Sequence, residues 1–135
     1  MTVDILSRVV RPCRVPSRPP DPADQLPLKP DVLFILLSLA DEPRHGYGII
    51  RNAESRSDGQ VVLQTGALYR TLRRLLQDRF IEECPKPDDA ESDDERRRYY
   101  TLTSFGRAVA AAEVARLSRI VRAARLSPAK RPRLT

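Results

Sequence analysis

The stretch TGALYRTLRRLLQDR, residues 65 to 79, has the clearest periodicity in this 135-residue sequence. Four leucines recur at the spacing of one helix face: Leu68, Leu72, Leu75 and Leu76. The opposite face carries four polar side chains: Arg70, Arg73, Arg74 and Gln77. Thr65 stands at the start, and its hydroxyl is predicted to cap the first turn. The pattern therefore predicts a helix with a buried leucine face and an exposed basic face.

Two short strands are predicted to follow this helix, over Phe80 to Cys84 and over Arg97 to Thr103, because the second is rich in tyrosine and threonine. The polar, acid-rich segment Pro85 to Glu95 joins them as a loop, and three arginines stand at its end: Arg96, Arg97 and Arg98. Tyr99 and Tyr100 are adjacent, so one is expected to face the core and the other solvent or phosphate. The prediction is a two-stranded hairpin.

Two helices are predicted before residue 65. Asp31 to Ala40 is apolar on nearly every side, which indicates a helix that is buried or lies at an oligomer interface. Helical spacing resumes after His45 and ends at the turn Ser57-Asp58-Gly59. His45 itself is interpreted as a junction residue with a satisfied hydrogen bond, the alternative being a pH-sensing or ligand-binding role.

A long helix is predicted from Ser104 to Leu126. Five apolar residues repeat along it at spacings of four and three, as in a coiled coil: Ala110, Val114, Leu117, Val121 and Ala124. Because so small a domain has too little core to cover this seam, a dimer interface is predicted at Val114, Leu117, Val121 and Ala124. The fold class predicted is mainly α with a small β-hairpin, a winged helix-turn-helix followed by a dimerisation helix.

Proline divides the chain, since seven of its 12 prolines lie in the first 30 residues. Residues 1–27 are therefore predicted to form a disordered arm rich in proline and arginine. Residues 28–103 are assigned to the winged domain, 104–126 to the dimerisation helix and 127–135 to a basic tail.

The amino-acid composition narrows the classes of function that this protein could have. Lys and Arg number 24 against 18 Asp and Glu, a net charge of +6, which favours a polyanionic partner such as nucleic acid. One histidine and two cysteines are too few for a disulfide framework, a metal site or a histidine-based catalytic group. No enzyme activity, metal or cofactor is expected. The longest apolar run, Val32 to Leu39, is far below the ~20 residues of a membrane span, so no membrane partner is predicted and the cytoplasm is the expected compartment.

Taken in order, these pieces resemble the PadR family of bacterial transcriptional regulators over residues 28–125. The matching segments are the apolar first helix, HGYGI at 45–49, TGALYRTLRRLLQDRFIEE at 65–83 and RRYYTLTSFGR at 97–107. The resemblance implies a homodimeric repressor whose third helix enters the major groove of double-stranded DNA and whose wing lies against the minor groove. The single C-terminal helix is similar to compact members, which often respond to a small hydrophobic effector near the dimer interface.

The chain departs from the family pattern at four positions. Thr65 stands where proline is usual and Ala67 where serine or threonine is usual, which implies a different operator. Arg79 replaces a glycine at a position expected to need a left-handed backbone. Gly48 replaces an acidic or polar residue.

The DNA-contacting residues predicted are Thr65, Tyr69, Arg70, Arg73, Arg74, Gln77, Arg96, Arg97 and Arg98. Arginine suits phosphate and guanine, and glutamine suits adenine edges. For the helix face the alternative is an ordinary solvated surface, and for Tyr69 a packing role at the core rim. For the whole protein the alternative is a winged-helix protein-interaction module without operator binding, which the acid-rich loop and the proline-rich arm favour.

Overall fold

The computed structural model describes residues 20–87 and 97–126, which form seven regular elements after a short 3-10 helix at Pro22–Gln25. These are α1 (Pro30–Ser38), β1 (Arg44–His45), α2 (Gly46–Arg56), α3 (Thr65–Gln77), β2 (Ile81–Cys84), β3 (Tyr99–Leu102) and α4 (Ser104–Ala124). The predicted fold class is confirmed, as helices dominate and the strands form one small antiparallel sheet.

The sheet has three strands in the order β1-β3-β2, not the two that were predicted. β2 pairs with β3 in the register Ile81 to Leu102, and β1 adds two pairs on the other side, one of them His45 to Tyr99. β3 is therefore the central strand. A two-residue strand is too short to produce an alternating pattern, which is why the sequence did not reveal β1.

Tyr99 and Tyr100 are both buried, at 4% and 3% exposure, so the prediction that one of them faces solvent or phosphate is wrong. Tyr100 belongs to the main hydrophobic cluster. The ring of His45, on the neighbouring strand, meets Tyr99 edge to face with ring centroids 5.3 Å apart. Strand β1, which was not predicted, thus places His45 against the ring of Tyr99.

The core lies where α1, α2, α3 and the start of α4 meet the sheet. Its fully buried side chains include the following aliphatic residues: Ile35, Leu36, Ile49, Leu68, Leu72, Ile81 and Val109. The leucine face of α3 is buried as predicted, because Leu68, Leu72 and Leu75 are at most 3% exposed. On α1, Val32, Phe34 and Leu37 are half-buried, so most of its apolar surface is covered within this one chain.

Both turns that flank α3 use a residue with positive φ. Asp58 (φ 53°) and Gly59 (φ 80°) end α2 at the predicted turn, and Arg79 (φ 63°) ends α3. At Arg79 the backbone closes with two hydrogen bonds, Arg79 N to Leu76 O and Phe80 N to Leu75 O, at 3.2 and 3.0 Å. The left-handed backbone expected at Arg79 is confirmed, and a non-glycine residue occupies it at some energetic cost.

Residues 22–25 form a 3-10 helix before α1, which contradicts the disordered arm predicted for residues 1–27 over its last part. The 3-10 helix is capped by Asp21, whose carboxylate accepts from Ala23 N at 2.9 Å, and it packs on α4. Leu26 packs on the hydrophobic cluster, and the backbone N–H of Leu28 donates to Glu113 Oε2 at 2.7 Å. Leu26 and Leu28, which lie among the prolines, supply the apolar contact with the core. Residues 1–19 lie outside the described part of the chain.

Glu113 explains why this segment is fixed in place. Its carboxylate is 1% exposed and accepts hydrogen bonds from Leu28 and from Arg116, one turn further along α4. The hydrogen bond from Arg116 and that from Leu28 hold the pKa of Glu113 below its usual range, against the opposing effect of burial. A buried carboxylate is tolerable only with such partners.

A truncated chain that starts at Leu28 should therefore be less stable than one that starts at Pro20. It loses the contact of Leu26 with the core and the packing of the 3-10 helix on α4, and we expect a cost of about 1 to 3 kcal/mol in the free energy of unfolding. Thermal and urea denaturation of the two chains measures the difference. Equal stability would mean that residues 20–27 rest on the domain without contributing to it.

Candidate nucleic-acid interface

The basic face of α3, defined by Arg70, Arg73, Arg74 and Gln77, is exposed along its whole length. It lies opposite the buried leucines, because those leucines pack on the core and fix the rotation of the helix. Within residues 20–87 and 97–126, these four side chains make no hydrogen bond or ion pair with another protein group. Three guanidinium groups and one amide are thus available to a partner.

The start of α3 differs from the prediction. Gln64, not Thr65, is the N-cap, and no side chain caps the helix. The backbone at Gln64 is extended, with φ −80° and ψ 143°, and its carbonyl already accepts from Leu68 N at 2.8 Å. Thr65 is therefore the first helical residue, its side chain is exposed, and the first-turn amides lack a side-chain acceptor.

Tyr69 has both a packing contact and an exposed surface. Its side chain is 44% exposed, yet its hydroxyl lies so close to Gly46 that a Cβ atom there would be 2.5 Å away. Tyr69 is also close to Tyr100, whose pKa is raised by burial, with Glu83 and Tyr69 adding to the rise. The ring therefore connects α3 to the start of α2, and both alternatives for Tyr69 stay open.

The wing base, Arg97 and Arg98, is exposed just before β3. Arg98 pairs with Glu83 on β2 at 3.3 Å, and Nη1 of Arg97 lies 3.1 Å from Nε2 of His45. Arg96 and the acid-rich stretch 88–95 lie outside the described residues. Because His45 precedes Gly46, which contacts Tyr69, a continuous chain of contacts joins the wing base to α3.

His45 is the N-cap of α2, as its interpretation as a junction residue predicted. Its Nδ1 accepts from Gly48 N at 3.1 Å, and its ring lies parallel to that of Tyr47, with centroids 6.5 Å apart. Desolvation and, after it, the charge of Arg97 lower the pKa of His45 below the usual histidine range. Both effects favour the neutral form of the imidazole.

The second half of α4 presents an apolar stripe to solvent. Its first half is anchored, with Gly106, Val109, Ala110 and Glu113 buried. Beyond them lie four exposed aliphatic residues: Val114 (43%), Leu117 (37%), Ile120 (49%) and Val121 (74%). Ala124 is exposed as well. Ala110, the first residue of the predicted seam, is thus part of the core, whereas the other four are uncovered in one chain. Ile120, which lies off the four-three spacing, widens the exposed stripe.

Other kinds of site have little support in the described part of the chain. The pKa of the Cys84 thiol is raised by burial and by the nearby Glu82, which disfavours a reactive thiolate. Across residues 20–87 and 97–126 no cluster of histidine, cysteine and acidic residues could hold a metal ion. None of the helices in those ranges is long and apolar enough to cross a membrane.

Residues 35–112 match the model of the transcriptional regulator PadR-like family, which covers the core helices, α3 and both wing strands. This chain belongs to the PadR-like family. Its members are transcriptional regulators that bind DNA, so the resemblance seen in the sequence is confirmed. No curated protein sequence matches the chain significantly.

Solved structures agree with the PadR-like fold. A PadR family transcription regulator from Clostridium difficile R20291 superposes with a TM-score of 0.59 at 22% identity, over 70% of this chain and 94% of that one. A transcriptional regulator from Clostridium thermocellum superposes with a TM-score of 0.54 at 23% identity, over 72% of this chain and 90% of that one. RosR of H. salinarum, in the complex structure hsRosR-S4, superposes with a TM-score of 0.56 at 29% identity, over 75% of this chain and 82% of that one.

Proposed function

We propose that this PadR-like protein is a cytoplasmic, homodimeric repressor without catalytic activity, and that it binds a specific operator in double-stranded DNA. The observation that carries the proposal is the basic face of α3, which is exposed, backed by a buried leucine face and free of internal partners in the described residues. A helix of about 10–12 Å diameter fits the major groove, where arginine binds guanine or phosphate and glutamine binds adenine.

Each half-site is then contacted by two regions of one subunit. α3 reads bases with residues drawn from its basic face and from Thr65, which replaces the usual proline and alters the group nearest the bases. Tyr69 and the arginines at positions 96–98 bind phosphates, which positions the subunit without reading sequence. The acids at 88–95 oppose approach to DNA by their charge, so we propose that the wing binds through the arginines at positions 96–98.

The apolar stripe of α4 supports the dimer. Pairing two α4 helices buries side chains that one chain leaves in water, and it presents two α3 helices to two half-sites related by the dimer axis. An apolar surface near such an interface also suits a small hydrophobic effector, which would change the spacing of the two α3 helices and so release the operator.

The alternative function is a protein-interaction module that keeps the winged fold without operator binding. The specific observation in its favour is the run of acids at 88–95, whose charge opposes approach to DNA. The two functions differ in one measurable property, the dependence of duplex binding on the α3 arginines.

Single replacement of Arg70, Arg73 and Arg74 by alanine tests the proposal. Loss of a phosphate contact should weaken binding to every duplex and lower the slope of log affinity against log salt by roughly 0.9 per contact. Loss of a base contact should cost about 1 to 3 kcal/mol and relax preference at one operator position. Folding should be unchanged, because these side chains point away from the core.

The measurement is a titration of each variant with a footprinted operator from the gene's own upstream region and with a scrambled duplex, at several salt concentrations. Arg119→Ala, which removes the same charge from an exposed position on α4, is the control. If all three α3 variants bind like wild type while remaining folded, α3 does not contact DNA and the interaction module takes precedence.

A further inference from the structure

Glu83 is an acid within the surface that is proposed to face DNA. On β2 it pairs with Tyr100 of β3, and residues directly opposite each other in an antiparallel pair lie on the same face of the sheet. The pKa of Tyr100 is raised by burial, then by Glu83 and then by Tyr69, so the carboxylate and the two tyrosines lie near one another. Glu83 is therefore on the face of the sheet that meets α3.

The carboxylate of Glu83 is paired with the wing base. Nη1 of Arg98 donates a hydrogen bond to Oε1 of Glu83 at 3.3 Å. Arg98 and Tyr69 are both proposed to bind phosphates, and Glu83 is close to both of them. A phosphate that reaches either group must approach a carboxylate, and the two negative charges repel each other.

The geometry of the pair is that of a contact that can exchange. One guanidinium nitrogen meets one carboxylate oxygen, and the two side chains are 74% and 49% exposed. The pair of Arg116 and Glu113 differs, because Arg116 donates through two nitrogens to a carboxylate that is 1% exposed. An exposed pair with a single contact is weak and does not hold the guanidinium in one orientation. Arg98 can therefore leave Glu83 for a phosphate.

We propose that Glu83 competes with the DNA backbone for Arg98 and so sets how tightly the protein binds any duplex. While Arg98 is paired, the carboxylate offsets its charge, and when Arg98 turns to a phosphate the carboxylate is left beside a negatively charged backbone. Within the described ranges the three arginines of α3 have no acidic partner, so their contacts with DNA carry no such cost. The proposal rests on the proposed DNA-binding function and assigns it an affinity-setting residue that the sequence interpretation did not single out.

Glu83→Gln tests the competition, because glutamine keeps the shape of the side chain and removes its charge. We expect affinity for operator and scrambled duplexes to rise by roughly 2- to 25-fold for a dimer, the range set by one exposed ion pair in each subunit. The slope of log affinity against log salt should steepen by up to roughly 0.9 per subunit, since Arg98 then neutralises a phosphate without a competing carboxylate. The melting temperature should be almost unchanged, because both side chains are exposed.

Glu82→Gln is the matched control. Glu82 is the neighbouring exposed acid on β2, and its pairing with Thr101 places it on the opposite face of the sheet. It forms no salt bridge with another residue that the structure describes. Its replacement removes the same charge and should raise duplex affinity by less than about 2-fold, because screening weakens the longer-range effect. Equal gains from the two variants would mean that only net charge matters and would overturn the assignment.

The Arg98→Gln background separates competition for Arg98 from general repulsion of DNA. In wild type this substitution should reduce affinity only slightly, because the carboxylate already offsets the charge of the guanidinium. In the Glu83→Gln protein it should remove the gain, so that the two substitutions are coupled. A gain that persists without Arg98 would contradict the competition. A loss of affinity in Glu83→Gln would also contradict it, since the carboxylate would then orient Arg98 toward DNA.

The Arg73→Ala protein separates this proposal from the function on which it rests. If Arg73→Ala loses affinity for duplex while Glu83→Gln binds like wild type, DNA binding stands and the competition fails. If wild type binds no duplex, both fail.

Discussion

Replacing Gly106 with alanine is expected to cost more than about 3 kcal/mol of stability and to lower the melting temperature by roughly 12 °C or more. Gly106 lies in the first turn of α4, and a Cβ atom there would be 1.9 Å from the carbonyl oxygen of Phe80. The obstacle is backbone, so no rotamer change relieves it. Either α4 or the start of β2 must move.

The same carbonyl is part of the junction that fixes α4. It accepts from Thr103 N at 3.1 Å, while the hydroxyl of Thr103 lies 2.6 Å from Arg79 O and accepts from Gly106 N at 2.9 Å. A shift large enough to admit a methyl group would break these hydrogen bonds together. Because small domains have only about 5–15 kcal/mol of net stability, the effect should be visible in any denaturation experiment.

Gly66→Ala is the matched control, since it is the same substitution in another helix. The nearest atom to a Cβ at Gly66 is the flexible end of Arg70, 3.9 Å away, and alanine has the higher helix propensity. Gly66→Ala should leave stability unchanged or raise it by up to about 1 kcal/mol. Equal stability of the two variants by calorimetry would mean that the close approach at Phe80 does not constrain the fold.

The parts of the fold that sequence could predict are those in which one pattern has one physical cause. The leucines of α3 recur at helical spacing because one face packs on the core, so both the buried face and the exposed arginines followed from the periodicity. The left-handed residue at Arg79 was found by comparing it with the glycine usual in the family. The exposed seam of α4 followed in the same way from its spacing.

The remaining features depend on contacts between distant segments. β1 is two residues long and exists because β3 offers it a partner, and the same pairing buries Tyr99 under His45. The residue type of Glu113 predicts a surface position, yet the backbone N–H of Leu28, 85 positions earlier, donates a hydrogen bond to its carboxylate. Thr65 was assigned as a cap from residue type, whereas the backbone enters the helix one residue earlier, at Gln64. Local pattern contains no information about such partners.

Replacing Leu117 and Val121 together with glutamate is expected to convert the proposed dimer into monomers and to reduce operator affinity by roughly 10²- to 10⁴-fold. The two side chains are 37% and 74% exposed on one face of α4, so the single chain should still fold. Across a dimer interface, however, the introduced glutamates of the two subunits would bring four carboxylates into an apolar contact. The affinity loss follows because two linked half-site contacts become independent ones.

Light scattering and sedimentation measure the oligomeric state, and titration with a full operator and with a single half-site measures the affinity. The double variant should bind the two duplexes with similar affinity, whereas wild type should strongly prefer the full operator. Ala108→Glu with Ala115→Glu adds the same charge to exposed positions on roughly the opposite face of α4, and it should remain dimeric. A wild-type protein that is monomeric at micromolar concentration, or a monomeric variant that retains full operator affinity, would show that α4 does not form the functional interface.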